Sequence, residues 1–297
     1  MAARRLLCAI AAACVWCAGR ADAAITVTDD RGAVLRLREP AARIVTLSPH
    51  LTELVYAAGA GARLVGVPRY SDYPEAAKAL PQIGDAARVD LERVLALGPD
   101  LVLAWKSGNS AADVARLETL GLTVHVSDAA RLSDVARVVR LIGRLAGTEA
   151  AAQREAAGFE RRIEALRARY GNSDRLRVFY QIWDRPLLTV NRAHLISDVL
   201  ALCGGANVFG DAALLTPAVS LEALTAARPD AVLGGSSALS ADAFTAQWRS
   251  HRVAALTRIP VRYVPPDLIQ RATPRIAQGA EAICEELEGL RSAQRSD

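Results

Sequence analysis

"VDLERVLALGPDLVLAW" (residues 89–105) returns 130 residues later as "VSLEALTAARPDAVLGG" (residues 219–235). Aligned without a gap, the copies share Val89 with Val219, Leu91 with Leu221, Glu92 with Glu222, Pro99 with Pro229, Asp100 with Asp230 and Leu103 with Leu233. Each copy reads as one local unit. Asp90 or Ser220 caps a helix by accepting the orphan N–H groups of its first turn. Glu92 or Glu222 places a carboxylate at the positive end of that helix. Pro99 or Pro229 ends it, and "DLVLAW" or "DAVLGG" follows as a strand. Solenoid units recur every 20–50 residues, so two copies this far apart point to two similar lobes instead.

At 297 residues the chain holds enough material for two domains with separate cores. Arg4 and Arg5, the apolar stretch Leu6 to Ala18 and the small-residue site Ala21-Asp22-Ala23 together describe a cleavable export signal over residues 1–23. Trp16 before Cys17 does not fit a lipoprotein signal. Cleavage would remove Arg4, Arg5, Arg20 and Asp22, so the formal charge falls from +4 to +2, a balance that argues against a nucleic-acid partner. It would also remove Cys8, Cys14 and Cys17, including the C-x-x-C of "CVWC". Cys203 and Cys284 remain; in an oxidising compartment they are expected to pair, the alternative being two buried thiols. No later stretch has the length of a membrane span, so a soluble exported protein is expected, in the periplasm.

The remaining elements alternate. Residues 25–38 carry a hairpin pattern around Asp29-Asp30-Arg31-Gly32. Strands are expected at 43–48, 63–67, 123–128 and 175–183. Helices are expected at 51–58, 113–120, 132–145, 195–202 and 274–290. Residues 148–170, dense in Ala, Glu, Arg and Leu, predict a rod of roughly 35 Å between the two repeat-bearing halves. The fold class is therefore α/β: two Rossmann-like lobes (24–146 and 173–297) with mostly parallel sheets, joined by one long helix (147–172), with a ligand cleft between them.

Catalytic signatures are missing. There is no G-x-S-x-G, P-loop, H-E-x-x-H or EF-hand pattern. "GAGARL" (59–64) has Leu64 where a dinucleotide fingerprint needs Gly and reads as a helix stop. The four His, at 50, 125, 194 and 251, have no ligand spacing, and His125 on a strand reads as a core or edge residue. The expectation is a binding protein, not an enzyme.

"RIVTLSPHLTELVYAAGA", "YSDYPEAA", "DLERVLALGPDLVLAW", "VLALCGGANVF" and "RATPRIAQGAEAIC" occur in an order that resembles the periplasmic vitamin B12-binding proteins of ABC importers. These belong to the wider helical-backbone receptors for cobalamin, haem and iron-siderophores. The resemblance runs from about Arg43 to Leu287. It implies a monomeric protein with a corrinoid as transported ligand, no resident cofactor, and an ABC permease dimer as partner. It also assigns the repeat a purpose, since Glu92 and Glu222 match the exposed glutamates that dock into Arg-rich pockets on the two permease halves.

For the ligand, the resemblance points to Tyr70 and to the run Asp267, Leu268, Ile269, Gln270 and Arg271. Ala86 and Thr216 stand where enteric-type proteins place Trp, and Leu188 where they place Phe; Trp183, in the same loop, is a substitute platform. Trp105 matches a family Trp and faces either the cleft or the lobe core. His50 follows Ser48-Pro49 at the turn that faces the cleft, where a neutral imidazole would coordinate cobalt or haem iron, bond a corrin amide, or touch solvent only. The N-terminal hairpin is more typical of the haem and siderophore receptors, which keeps a haem- or siderophore-binding receptor of the same fold as the alternative.

Overall fold

The computed structural model describes residues 24–236, 239–250 and 253–296; the expected export signal with its cysteines, and His251, lie outside the described residues. β1 (Ile25–Thr28) and β2 (Val34–Leu37) form an antiparallel hairpin. The Asp29 carboxylate closes its turn by accepting from the backbone N–H groups of Arg31 and Ala33, both at 2.9 Å. Asp30 ties the hairpin down, accepting from the Asp128 N–H at 2.6 Å and from Arg137.

The first lobe then runs β3 (Ile44–Thr46), α1 (Pro49–Ala57), β4 (Leu64–Gly66), α2 (Leu91–Ala96), β5 (Leu101–Trp105), α3 (Ala111–Thr119), β6 (Val124–Ser127) and α4 (Leu132–Ala146). Its sheet is parallel in the order β4-β3-β5-β6. After α5 (Glu149–Tyr170) the second lobe runs β7 (Leu176–Gln181), α6 (Leu195–Leu202), β8 (Gly205–Asn207), α7 (Leu221–Ala227), β9 (Ala231–Gly234), α8 (Ala241–Arg249), α9 (Ala254–Thr257), β10 (Val261–Tyr263), α10 (Pro266–Ile269) and α11 (Ile276–Ser296). Its sheet is also parallel, β8-β7-β9-β10. In both lobes the spatial order is thus second, first, third, fourth, and both copies of the repeat build the helix and strand of the third position.

The repeat is fixed by the same polar contacts in each lobe. Asp90 accepts from the Arg93 N–H at 3.0 Å and Ser220 from the Ala223 N–H at 3.1 Å, capping α2 and α7. Asp100 reaches the N–H of Arg43 at 3.0 Å ahead of the first strand, as Asp230 reaches that of Arg177 at 2.7 Å. The two arginines answer in kind. Arg43 donates to the carbonyls of Leu97 and Gly98, and Arg177 to those of Ala227 and Arg228, covering the orphan C-terminal carbonyls of α2 and α7.

α5 has 22 residues and so spans about 33 Å. Its buried side chains Ala152, Ala156, Phe159, Ile163, Leu166 and Tyr170 recur every three or four residues and form a single stripe. That stripe joins a core that also takes in α4, α6 and α11. Two glycines permit the sharp α4–α5 turn: Gly147 adopts φ +63°, and a Cβ on Gly143 would sit 2.3 Å from the Ala152 methyl. Cys203, at the end of α6, is bridged to Cys284 of α11, with 4.6 Å between their Cα atoms.

The sequence reading assigns no element to β8, α8, α9, β10 or α10 and stops the last helix at residue 290. The helix runs on to Ser296 because Arg291 is buried and donates to the carbonyls of Asp174 and Cys203, anchoring the added turns.

Candidate functional site: the cleft between the lobes

In an open parallel sheet, ligands collect beyond the carboxyl ends of the strands where neighbouring connections run in opposite directions. In the first lobe that point lies between β3 and β5, and in the second between β7 and β9. Ser48-Pro49-His50 follows β3, and Trp105 ends β5. Gln181 ends β7 and leads to Trp183, while Gly234-Gly235 closes β9. These ends line two neighbouring cavities. One, of about 320 Å³, takes His50, Trp105 and Asp128 from the first lobe and His194, Leu215 and Gln270 from the second. The other, of about 330 Å³, is lined by Gln181, Trp183, Asp184, Arg185, Gly235 and Gln270 among others. Gln270 lines both, so the second cavity, walled by second-lobe residues alone, adjoins the interlobe one, and the pair is the candidate groove.

Trp105, which the sequence leaves between cleft and core, lines the cleft. Its indole Nε1 donates to Asp128 at 3.2 Å, and Asn109 accepts its backbone N–H at 2.7 Å while donating to the carbonyls of Leu47 and Ala86. His50 stands edge-on to it, with ring centroids 5.0 Å apart and planes at 83°. The His50 Nδ1 meets the Ser48 Oγ at 3.1 Å. Burial, with the positive charge of Arg271 nearby, brings its pKa down to about 4, so the ring is neutral at neutral pH. His194 caps α6 by accepting the Ile196 N–H at Nδ1, 3.1 Å away, and burial lowers its pKa to about 4 as well.

Tyr70 and Trp183 stand exposed, at 68% and 62% of their surface. Tyr70 adopts φ +69°, a left-handed conformation that costs a non-glycine residue on the order of 1 kcal/mol or more. Leu188 is half-buried; its backbone bridges Trp183 and Ala218, and it is absent from the lining of both cavities. Of the run 267–271, Ile269 and Gln270 line the groove, whereas Leu268 packs against Gly279 of α11.

Arg271 turns away from that lining and crosses to the first lobe. It donates to Glu53 of α1 at 2.7 Å and to Asp72 at 2.6 Å, and pairs with Asp267 at 3.1 Å. Although burial works against the charge, these carboxylates raise its pKa. Arg275 adds a second link to Glu53 at 3.4 Å and lies 4.0 Å above the Tyr73 ring. The sequence reading sees Asp267 and Arg271 as ligand contacts or a surface ion pair; the structure puts them in a cluster that binds the two lobes together.

Glu92 and Glu222 are both exposed in the first turns of α2 and α7. A crossover helix runs opposite to its strands, so these first turns lie on the same side of each lobe as the carboxyl ends of the strands. Asp128, Gln181 and His194 are cleft residues that the sequence reading does not single out. Asp128 and Gln181 fall at the carboxyl ends of expected strands, and that rule alone would have found them. Among the described residues no group of three or more His, Cys, Asp or Glu is placed to hold a metal ion, and no helix is long and apolar enough to cross a membrane.

Two parallel α/β lobes on one helical backbone, with aromatic groups at both switch points and amide groups at the second, define a two-lobed ligand receptor. The chain belongs to the periplasmic binding protein family, whose model matches residues 44–258. A vitamin B12-binding protein of Vibrio parahaemolyticus is 34% identical over 253 residues, covering 85% of this chain and 92% of its own. One from Yersinia pestis is 34% identical over 252 residues, covering 85% and 88%. The solved periplasmic vitamin B12 binding protein BtuF of Vibrio cholerae superposes with a TM-score of 0.78 at 32% identity, over 85% of this chain and 98% of that one. A periplasmic heme binding protein from Pseudomonas aeruginosa gives 0.73 at 25% identity, over 82% and 91%.

Proposed function

We propose that the protein is a periplasmic receptor that captures cobalamin or a related corrinoid in the interlobe groove and delivers it to an ABC importer. Its work is affinity and docking; no bond is made or broken. The observation that carries the choice of ligand is the charge state of the groove. A corrin ring is edged by neutral amides, whereas haem carries carboxylates that call for free cations. Arg185 is the cationic residue in the groove lining among the described residues, and it is paired with Asp184 at 3.0 Å. Arg271, next to Gln270 of the lining, is engaged by Glu53, Asp72 and Asp267. What remains in the lining is suited to amides: Gln181, Gln270, Asp128 and two neutral imidazoles for hydrogen bonds, with Trp105 and Trp183 as apolar surfaces for the ring, while Tyr70 stands exposed outside the lining of both cavities. The vitamin B12-binding relatives support the same choice, and the basic n-region, apolar stretch and small-residue site over residues 1–23 support export.

Calorimetric titration of the mature protein with cyanocobalamin, cobinamide and haemin tests this reading. One-to-one binding of the corrinoids, with haemin much weaker, is the expected result. Binding of haemin alone would replace the cargo while leaving the fold, and the proposal that Glu92 and Glu222 dock to an importer, untouched.

A further inference from the structure

Two imidazoles face the same cavity from opposite lobes, and their hydrogen bonds give them different chemistry. His194 accepts the Ile196 N–H at Nδ1, so in the neutral ring the proton sits on Nε2. That nitrogen is a donor, fit for a carbonyl oxygen on the edge of a ligand. The His50 Nδ1 instead meets a hydroxyl, the Ser48 Oγ at 3.1 Å, which is able to accept. With Nδ1–H donating to Ser48, the lone pair lies on Nε2, which has no hydrogen-bond partner among the described residues. The Ser48 hydroxyl accommodates either tautomer, and this one matches metal-binding histidines, whose other ring nitrogen donates to a neighbouring group. Trp105, edge-on at 5.0 Å, restricts rotation of the ring.

A lone imidazole is a poor site for a free ion, and among the described residues no group of three or more His, Cys, Asp or Glu is placed to hold one. It is a sufficient site for a metal whose other positions are already filled by a macrocycle. We propose that the His50 Nε2 is an axial ligand to the central metal of the bound corrinoid, so that the groove favours corrinoids with an exchangeable axial position. This rests on the corrinoid reading above and adds a residue that selects among corrinoids. His194, by its tautomer, has no part in the metal bond.

Electron paramagnetic resonance of cob(II)inamide bound to the mature protein tests the assignment, because cobinamide lacks the nucleotide base and brings no axial nitrogen of its own. The expected spectrum shows each cobalt line split in three by one nitrogen. The splitting should disappear in His50→Ala and in His50→Gln, and persist in His194→Asn, which keeps a capping side chain. A stoichiometric complex of the wild-type protein without nitrogen splitting would overturn the axial role and leave the corrinoid reading standing. Splitting that survives in both His50 variants would also overturn it. Failure to form any complex would remove the corrinoid reading, and this one with it.

Discussion

Arg271 shows how far a single residue can be read from sequence. Its place in a polar run near the cleft was legible, but its partners were not, because Glu53 and Asp72 lie about 200 positions earlier in the chain. No local pattern reports a pair of that separation. His125 raises the same issue with the opposite outcome. Its strand position reads as core or edge, and it is 1% exposed on β6 with both ring nitrogens unpartnered. The charged groups around it are Asp29, Asp30, Arg31 and Arg137, and burial outweighs the two carboxylates to lower its pKa from 6.5. A proton therefore binds the unfolded chain more readily than the folded one. The stabilisation from the neutral ring is complete above the unfolded value of 6.5 and is lost as pH falls toward the folded value. His50 and His194, at about 4, act in the same direction. Urea midpoints should accordingly fall between pH 6.5 and 4, ahead of the range in which the paired carboxylates titrate. His125→Leu, which removes one of the three groups, should flatten that slope; an unchanged slope would show that His125 is protonated in the folded protein without cost.

At the scale of the element, the repeat was readable because capping, dipole and proline rules all act within a few residues. The alternation of strands and helices was readable for the same reason. β8 and β10 were not, since three-residue strands such as Gly205–Asn207 and Val261–Tyr263 exist only through the neighbours they pair with. The disulfide sits between these cases: compartment chemistry suggested it, while its geometry depends on α6 ending against α11. Because the bridge closes a loop of 81 residues, it should contribute about 4 kcal/mol by restricting the unfolded chain. Denaturation of the oxidised protein and of a Cys203→Ala, Cys284→Ala double variant should differ by that order. Equal stabilities would mean that α11 is held on α6 by packing alone, through Ile283, Leu287 and the buried Arg291.

At the scale of the whole molecule, the two lobes share one strand order, one helix-strand repeat and one exposed glutamate each, which gives the surface an approximate twofold character. Such a surface suits a partner with two equivalent receiving sites, provided that the spacing between Glu92 and Glu222 is held. α5 and the Arg271–Glu53–Asp72 cluster supply that restraint from opposite kinds of force, one a continuous hydrogen-bonded rod and the other charge pairs across the lobes. Glu222 is also kept in its charged form, its pKa lowered by hydrogen bonds from its own backbone N–H and from Ser220. If these carboxylates dock into basic pockets of a permease, each makes a charge-assisted contact, the stronger kind of hydrogen bond. Glu92→Ala and Glu222→Ala should then each weaken binding to the reconstituted transporter, and the double variant should weaken it further. Corrinoid affinity should stay the same in all of them, since neither residue lines the groove. A parallel loss of corrinoid and transporter binding would place the two glutamates in lobe stability and withdraw the docking role, whereas loss of transporter binding alone would separate the capturing face of the molecule from the delivering one.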